Sequence, residues 1–279
     1  MCVPGTVETV RERTDRGEVP AVSRRAVLLA GAGGALAATL PGPVLAAPKG
    51  RGRHRTRDLT HLFRDGFPVY TGDAPARETL VTIPINGFYS QQWTFGEHSG
   101  THMDAPGHFV LGGRLTPEID PRELMVPIVV IDISERAESE HDAAVTVDDL
   151  VQFERRHGRI PRGALVCEYS GWESRVGNPD AFINADANGT FHFPGFGIDA
   201  VEWLLANRSI TGIGVDTLSL DVGASTTFDV HVTLLGADKY GLENLANLKR
   251  IPPRGAEVFV GVIPWEEGSG GPCRVVARW

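Results

Sequence analysis

One short segment of the chain, HSGTHMDAPGH, carries three histidines and one aspartate within eleven residues, from His98 to His108. Imidazole and carboxylate groups are common ligands of first-row divalent cations such as Zn²⁺ and Mn²⁺. An α-helix would place Asp104 roughly 240° around its axis from His98. A strand would separate His98 from His102 by about 13 Å. Only a bent segment brings these three side chains to one ion.

Two residues inside this segment interrupt regular structure. Gly100 accepts backbone angles that other residues avoid, and Pro106 fixes its own φ angle. They predict a bend at Gly100 and a fixed exit at Pro106. His108 lies beyond that exit, where it is either an acid/base beside the ion or a further protein ligand. Chance clustering of surface histidines is one alternative. A closed structural zinc site is another, although such sites usually contain cysteine and none is nearby.

The composition is that of an ordinary globular protein. The 279 residues are 42% hydrophobic and 22% charged, with a net charge of −8. That charge, with no basic stripe beyond residue 60, argues against binding to nucleic acid or an anionic membrane. Cys167 lies in an apolar run and is expected to be buried, and the spacing does not support a disulfide between it and Cys273.

The N-terminal residues have the layout of an export signal. Arg24 and Arg25 precede a run of small apolar residues and a small-residue cleavage region, which predicts a twin-arginine signal over residues 1–46. A retained membrane anchor is the alternative. Residues 47–57 are interpreted as a basic linker. We expect the mature protein to be periplasmic or extracellular, with no membrane contact after cleavage.

The rest of the chain, residues 58–279, is predicted to be one α/β domain. Thr146 as N-cap and Gly158 as stop predict one helix, and a second begins at Asp199. Helices alternating with strands indicate mixed rather than purely parallel pairing. The predicted strands are β-branched runs bounded by proline or glycine: 79–85, 126–133, 164–169, 210–217, 257–263 and 273–279.

Two further candidate ligands lie downstream, twelve residues apart. His231 precedes an apolar stretch and by itself is either a ligand or an ordinary satisfied polar residue. Glu243 lies at the start of the run LENLANL. This run has the pattern of a helix start, where an acidic residue is common. Neither residue identifies a metal site by itself.

The first motif resembles the signature H-x-G-T-H-x-D-x-P-x-H of the metal-dependent cyclase family, which includes bacterial kynurenine formamidase and isatin hydrolase. Every fixed position of the signature is present. The likeness continues through FPGFGIDAVEWLL, GIGVDTLSLDVG and HVTLLGADKYGLENLANL. It covers roughly residues 58–263. The resemblance implies a swivelling β/β/α fold, commonly assembled as a homodimer or homotetramer.

The resemblance also implies a role for each candidate residue. His98, His102 and Asp104 would hold one divalent ion, Zn²⁺ or Mn²⁺. Glu243 and His231 would hold a second ion, with Asp104 bridging the two. The catalytic acid/base would be the last histidine of the first motif, His108.

These observations together predict an exported hydrolase that opens an amide with a metal-activated water. The substrate would be an aryl formamide or a cyclic amide such as isatin, and the leaving group would be protonated by His108. A lactone hydrolase or a ring-forming cyclase on the same site is the main alternative. A secreted metal- or ligand-binding protein without turnover is the non-enzymatic alternative.

The substrate pocket is less well defined by the sequence. Trp93, Phe95 and Trp172 are either walls for a flat substrate or plain core residues. Ser219 and Asp221 follow a predicted strand in GVDTLSLD. They either reach the site or only brace the turn.

Overall fold

The computed structural model of the protein describes residues 55–279. The predicted export signal, 1–46, and most of the predicted linker lie outside the described residues. Strand β1 (Thr56–Asp58) begins inside the predicted linker and pairs with the C-terminal strand, Thr56 lying opposite Arg278. Thr56 and Arg57, which the sequence analysis assigns to the linker, are thus part of the first strand. Within the described residues, no helix has the length and apolarity needed to cross a membrane.

Contacts divide the chain into two compact units, and the described part of the smaller one is residues 77–93. Except for the end residues Ala76 and Thr94, it contains strand β2 (Ala76–Val81), helix α1 (Ile83–Asn86) and strand β3 (Ser90–Thr94), with the two strands paired. The predicted strand 79–85 is therefore wrong in its second half. A proline in the first turn of α1 has the φ angle that a helix start needs, and this favours the helix.

The main unit is built on seven strands that close into a ring. In spatial order they run β12, β11, β5, β7, β9, β10 and β4, and β4 pairs back with β12. Strand β1 joins the outer edge of β12. The seven strands are β4 (His102–Asp104), β5 (Met125–Asp132), β7 (Ala164–Tyr169), β9 (Ile210–Gly214), β10 (Tyr240–Glu243), β11 (Ala256–Val262) and β12 (Gly270–Arg278). Two short strands, β6 (Ala144–Val145) and β8 (Gly195–Phe196), pair separately.

The pairing is mixed, as predicted. Strands β5, β7, β9 and β10 are parallel neighbours, whereas β4, β11 and β12 pair antiparallel. The helices of this unit are α2 (Ser134–Ala137), α3 (Val147–His157), α4 (Pro179–Ile183), α5 (Ile198–Asn207) and α6 (Asp229–Gly236). The predicted α/β fold class is confirmed.

Two apolar layers lie on opposite faces of the strands. On β5, Ile128 and Val130 join a buried cluster with residues of the facing strands, inside the ring. Val129 and Ile131 alternate with them and join a second cluster that includes residues of α3, α5 and α6. This alternation follows from the two-residue period of a strand. The ring and its helices thus form a closely packed frame for the ends of β4 and β10.

Helix α3 begins and ends where the sequence predicted. The hydroxyl of Thr146 accepts a hydrogen bond from the Asp149 amide, and the Asp149 carboxylate accepts one from the Thr146 amide. This reciprocal cap satisfies two amides that have no partner inside the helix. Gly158 ends the helix with a φ of 85°. Of the described cysteines, Cys167 and Cys273 are both buried and free.

Candidate metal centre

The His98–His108 segment bends where the sequence predicted. Gly100 has a φ of +67°, and a Cβ atom there would lie 2.5 Å from the ring of Phe63. Both the backbone angle and the close packing therefore require glycine. Beyond the bend, His102 and Asp104 lie on β4. Pro106 then begins a single 3-10 turn that ends at His108.

Strand β10 brings Glu243 to the same place. It pairs antiparallel with β4, and its register sets Glu243 opposite His102. The helix predicted to start at Glu243 is wrong, since this residue ends a strand. Asn244 and Asn247 follow with φ angles of 54° and 59°, which a right-handed helix does not contain. Asparagine tolerates this left-handed region, so the apolar pattern of LENLANL belongs to a strand followed by turns.

Helix α6 supplies His231 on its first turn. The Asp221 carboxylate accepts hydrogen bonds from the backbone amides of Val230 and His231, at 3.0 and 3.2 Å. It also accepts one from Nδ1 of the His231 ring at 2.6 Å. Asp221 therefore both caps the helix and orients the imidazole. The sequence left open whether Asp221 reaches the site or only supports the local structure. The second interpretation fits, and the group that Asp221 supports is the candidate ligand His231.

The five candidate ligands converge on the Asp104 carboxylate. Its Oδ1 lies 2.6 Å from Nδ1 of His98 and 3.3 Å from Nε2 of His102. Its Oδ2 lies 3.4 Å from Nε2 of His231. The Glu243 carboxylate lies 3.3 Å from His102 Nε2 and 3.1 Å from His231 Nε2. His98 is partly exposed, and the other four side chains are buried.

The hydrogen bonds on the far sides of the rings show which nitrogens face this cluster with a lone pair. Nδ1 of His102 donates to the Gly100 carbonyl at 2.9 Å, so the neutral ring has its lone pair on Nε2. Among the described residues, His102 Nε2 and Asp104 Oδ2 have no hydrogen-bond partner. Buried atoms of this kind need a counterpart. Lone pairs of nitrogen and oxygen that point at one another fit a divalent cation such as Zn²⁺ or Mn²⁺.

The local charge balance agrees with a cation site. Burial opposes the charged form of His102, but Asp104 and Glu243 outweigh it and raise its pKa to about 10. The pKa of His231 shifts in the same direction: burial opposes its charged form, but hydrogen bonds to Asp104 and Asp221 outweigh burial and raise its pKa. Burial also opposes the charge of Asp104, yet the histidines around it hold its pKa well below the usual range. The carboxylates thus create a strongly negative centre that attracts positive charge.

His108 lies beside this cluster. Its ring stacks on that of His98 with the centroids 3.7 Å apart. Burial lowers the pKa of His108 to about 4, so the imidazole is neutral at pH 7. A ring nitrogen lies within 4.8 Å of ligand atoms of His98 and Asp104. Both interpretations of His108 from the sequence, acid/base and further ligand, are compatible with this geometry.

A cavity of about 790 Å³ in the main unit opens onto the cluster. Phe95 and Ser219 both line it, and the Ser219 hydroxyl has no hydrogen-bond partner among the described residues. The aromatic residues on its wall are Tyr70, Phe95, Phe109 and Phe228. The cavity therefore combines an apolar aromatic wall with the polar candidate metal site at one side.

The other two aromatic candidates have different surroundings. Trp172 is buried in a cluster with Phe182, Phe193 and Leu218, and its Nε1 donates to the Phe182 carbonyl at 2.8 Å. It does not line the cavity, and the core interpretation applies to it. Trp93 lies on β3 in the smaller unit, where the Arg77 guanidinium carbon is 5.8 Å from the ring centroid.

Sequence reasoning missed several residues of the site. Tyr70, Phe109 and Phe228 line the cavity without any local motif that marks them. Ser269 contacts His98 from 171 positions away along the chain, so only the fold reveals it. Glu97 also lines the cavity and was also missed. Unlike the others, it has a local signal, because it is an acidic residue directly before the candidate ligand His98.

Comparison with known proteins gives the family. Residues 57–222 match the family model described as "Putative cyclase". The chain is 36% identical over 199 residues to isatin hydrolase from Roseibium aggregatum, covering 68% of this chain and 75% of that protein. It is 28% identical over 232 residues to kynurenine formamidase from Bordetella avium, covering 80% and 98%. The structure of isatin hydrolase A from Ralstonia solanacearum matches with a TM-score of 0.77 and 35% identity, covering 93% and 98%. The protein belongs to the cyclase family.

Proposed function

We propose that the protein is a metal-dependent hydrolase that opens an aromatic amide, with a cyclic amide of the isatin type as the favoured substrate class. The observation that carries this proposal is the convergence of unshared lone pairs of His102, Asp104 and the neighbouring ligands at one side of an aromatic-walled cavity. The similarity to isatin hydrolases and to kynurenine formamidase supports the same reaction class.

The residues fit one or two divalent ions. His98, His102 and Asp104 would hold the first. His231 and Glu243 would hold the second, with Asp104 contributing an oxygen to each. When bound, such an ion lowers the pKa of coordinated water towards neutrality and polarises a carbonyl group. The mixed nitrogen and oxygen donors accept either Zn²⁺ or Mn²⁺.

His108 would move the proton of the reaction. Its neutral ring can accept a proton from the attacking water at one ring nitrogen and pass it to the amide nitrogen as the C–N bond breaks. Amide nitrogens leave poorly unless they are protonated, so cleavage of the C–N bond needs this transfer. The stacking of His108 on His98 would hold the ring at a fixed place beside the ligand cluster.

The cavity wall favours a flat apolar substrate. Phe95, Phe109 and Phe228 offer ring faces and edges against which an aromatic substrate packs. Ser219 offers a hydroxyl that is free to bond to a polar group of the substrate. In a cyclic amide the carboxylate and the aniline formed by hydrolysis remain in one molecule. The cavity would then release a single anionic product.

A panel of substrates tests this proposal. The purified protein, loaded separately with Zn²⁺ and Mn²⁺, would be assayed with isatin, an aryl formamide and an aromatic lactone of similar size. We expect turnover of isatin at a kcat/KM at least about tenfold above that for the lactone. Preference for the lactone would establish the alternative of a lactone hydrolase. No turnover of any member in either metal form would overturn the proposal.

A further inference from the structure

A hydrogen-bonded chain lies on the side of His98 that faces away from Asp104. Nε2 of His98 is 3.0 Å from the hydroxyl of Ser269. The hydroxyl and the backbone amide of Ser269 both bond to Oε2 of Glu97, at 2.7 and 3.1 Å. Glu97, Ser269 and His98 therefore form a continuous chain that ends at a candidate metal ligand.

The direction of the hydrogen bonds follows from the groups involved. An ionised carboxylate only accepts, so the hydroxyl hydrogen of Ser269 points at Glu97. The oxygen of Ser269 then faces His98 with a lone pair and accepts the hydrogen of Nε2. The neutral ring consequently carries its lone pair on Nδ1. This is the atom that lies 2.6 Å from Oδ1 of Asp104.

Two atoms with lone pairs that meet at 2.6 Å repel each other unless positive charge lies beside them. A proton on His98 or a bound cation supplies that charge. The hydrogen bonds from Ser269 and Glu97 fix the hydrogen of His98 on Nε2. The lone pair of Nδ1 therefore remains available to a cation rather than to a proton. The Glu97 charge also makes the His98 ring a stronger electron-pair donor to a metal ion, as carboxylates behind metal-bound histidines do.

The backbone around Ser269 is tied to the same strand as the ligands. The Ser269 carbonyl accepts a hydrogen bond from the amide of Ala105, directly after Asp104, at 2.9 Å. Next to it, a Cβ atom on Gly270 would lie 2.5 Å from the His98 ring and 2.4 Å from the Met103 carbonyl. The ring therefore packs against bare backbone. Ser269 cannot shift without moving the end of β4.

We propose that Glu97 and Ser269 are positioning residues that set the tautomer and orientation of His98 and thereby the affinity of the first metal site. This inference rests on the proposed metal-dependent function. Among the described residues, the side-chain hydrogen bonds of Glu97 and Ser269 reach the five candidate ligands only through His98. Ser269 also lies outside residues 57–222, the part of the chain that matches the family model. Loss of such a supporting partner typically weakens metal binding by about 10- to 100-fold.

The test measures metal affinity rather than activity. Zn²⁺ and Mn²⁺ dissociation constants of the full chain would be determined by competition with a chromophoric chelator. We expect Ser269→Ala to weaken metal binding at the first site by about 10- to 100-fold. Ser269→Thr, which keeps the hydroxyl, should recover most of that loss. Ser174→Ala removes an exposed hydroxyl that bonds only to the local Gly171 carbonyl, and it serves as the matched control.

A double-mutant cycle with Glu97→Ala makes the test specific. Because Glu97 acts through Ser269, its replacement should have little further effect once Ser269 is alanine, so the two losses should not add. Glu97→Ala also stands in for Ser269→Ala if the latter does not fold. Unchanged affinity in both single variants, or fully additive losses, would overturn the inference. A wild-type protein that binds neither ion would instead contradict the proposed function.

Discussion

Replacing His102 with alanine is expected to remove the metal ion from the first site and to lower hydrolysis to the background rate, a loss of more than about 10³-fold. His102 is buried, and its Nε2 lies 3.3 Å from both Asp104 and Glu243. Without this ring, the site loses one nitrogen ligand, and the carboxylates of Asp104 and Glu243 no longer have an imidazole between them. Metal content by elemental analysis and the rate with isatin would be measured on the same preparation.

His157→Ala is the matched control for this experiment. His157 ends helix α3, is exposed and has its ring beside that of Phe153. Its replacement should leave both metal content and rate within about twofold of wild type. A His102→Ala protein that keeps its full metal content would show that the ion binds elsewhere.

Replacing His108 with alanine is expected to leave the metal content unchanged while the rate falls by roughly 10²–10⁴-fold, the usual contribution of a general acid–base group. The side chain stacks on His98 but, within the described part of the chain, forms no ion pair with the Asp104 carboxylate, unlike the three proposed histidine ligands. Proton transfer to the leaving nitrogen would then depend on bulk water. Rate and metal content would again be measured together.

The same variant separates the two roles that the sequence leaves open for His108. Joint loss of metal and activity would make it a ligand of the first site. His108→Gln keeps a side chain of similar length that cannot cycle a proton near neutral pH, and it should be as slow as His108→Ala. A glutamine variant with near wild-type rate would show that His108 only fills space.

Much of the main unit could be predicted because its elements have strong local signals. The strand predictions at 126–133, 164–169 and 257–263 each match an observed strand to within about one residue. These runs are β-branched and are buried on one or both faces, where local preference and tertiary packing agree. Helix α3 was predicted from its two caps for the same reason.

The sequence prediction failed where tertiary pairing overrides a local pattern. Leu242, Leu245 and Leu248 have the three-residue spacing of a helix face. All three are instead buried inside the ring, where Leu242 lies on a strand and the other two lie in the turns after it. Pairing of β10 with β4 and β9 determines this conformation. The local signal available in the sequence was the pair of asparagines, Asn244 and Asn247, a residue type that tolerates the left-handed angles found at both positions.

The site itself divides in the same way. His98, His102 and Asp104 could be predicted because the bend and all three ligands lie within seven residues. Joining them to His231 and Glu243 required the family resemblance, since nothing in the local spacing links the two segments. Ser269 could be predicted by neither route. Its role depends on the closure of β12 onto β4, which is a property of the complete ring.

Metal titration of the purified protein tests the central claim most directly. The protein would be prepared without added metal, stripped with a chelator and titrated with Zn²⁺ or Mn²⁺, while isatin hydrolysis and bound metal are followed together. The proposed site predicts that activity is absent in the stripped protein. It also predicts that activity rises in proportion to occupancy and reaches its maximum at one or two ions per chain. Full activity in the stripped protein, or saturation of the site without any gain in activity, would contradict it.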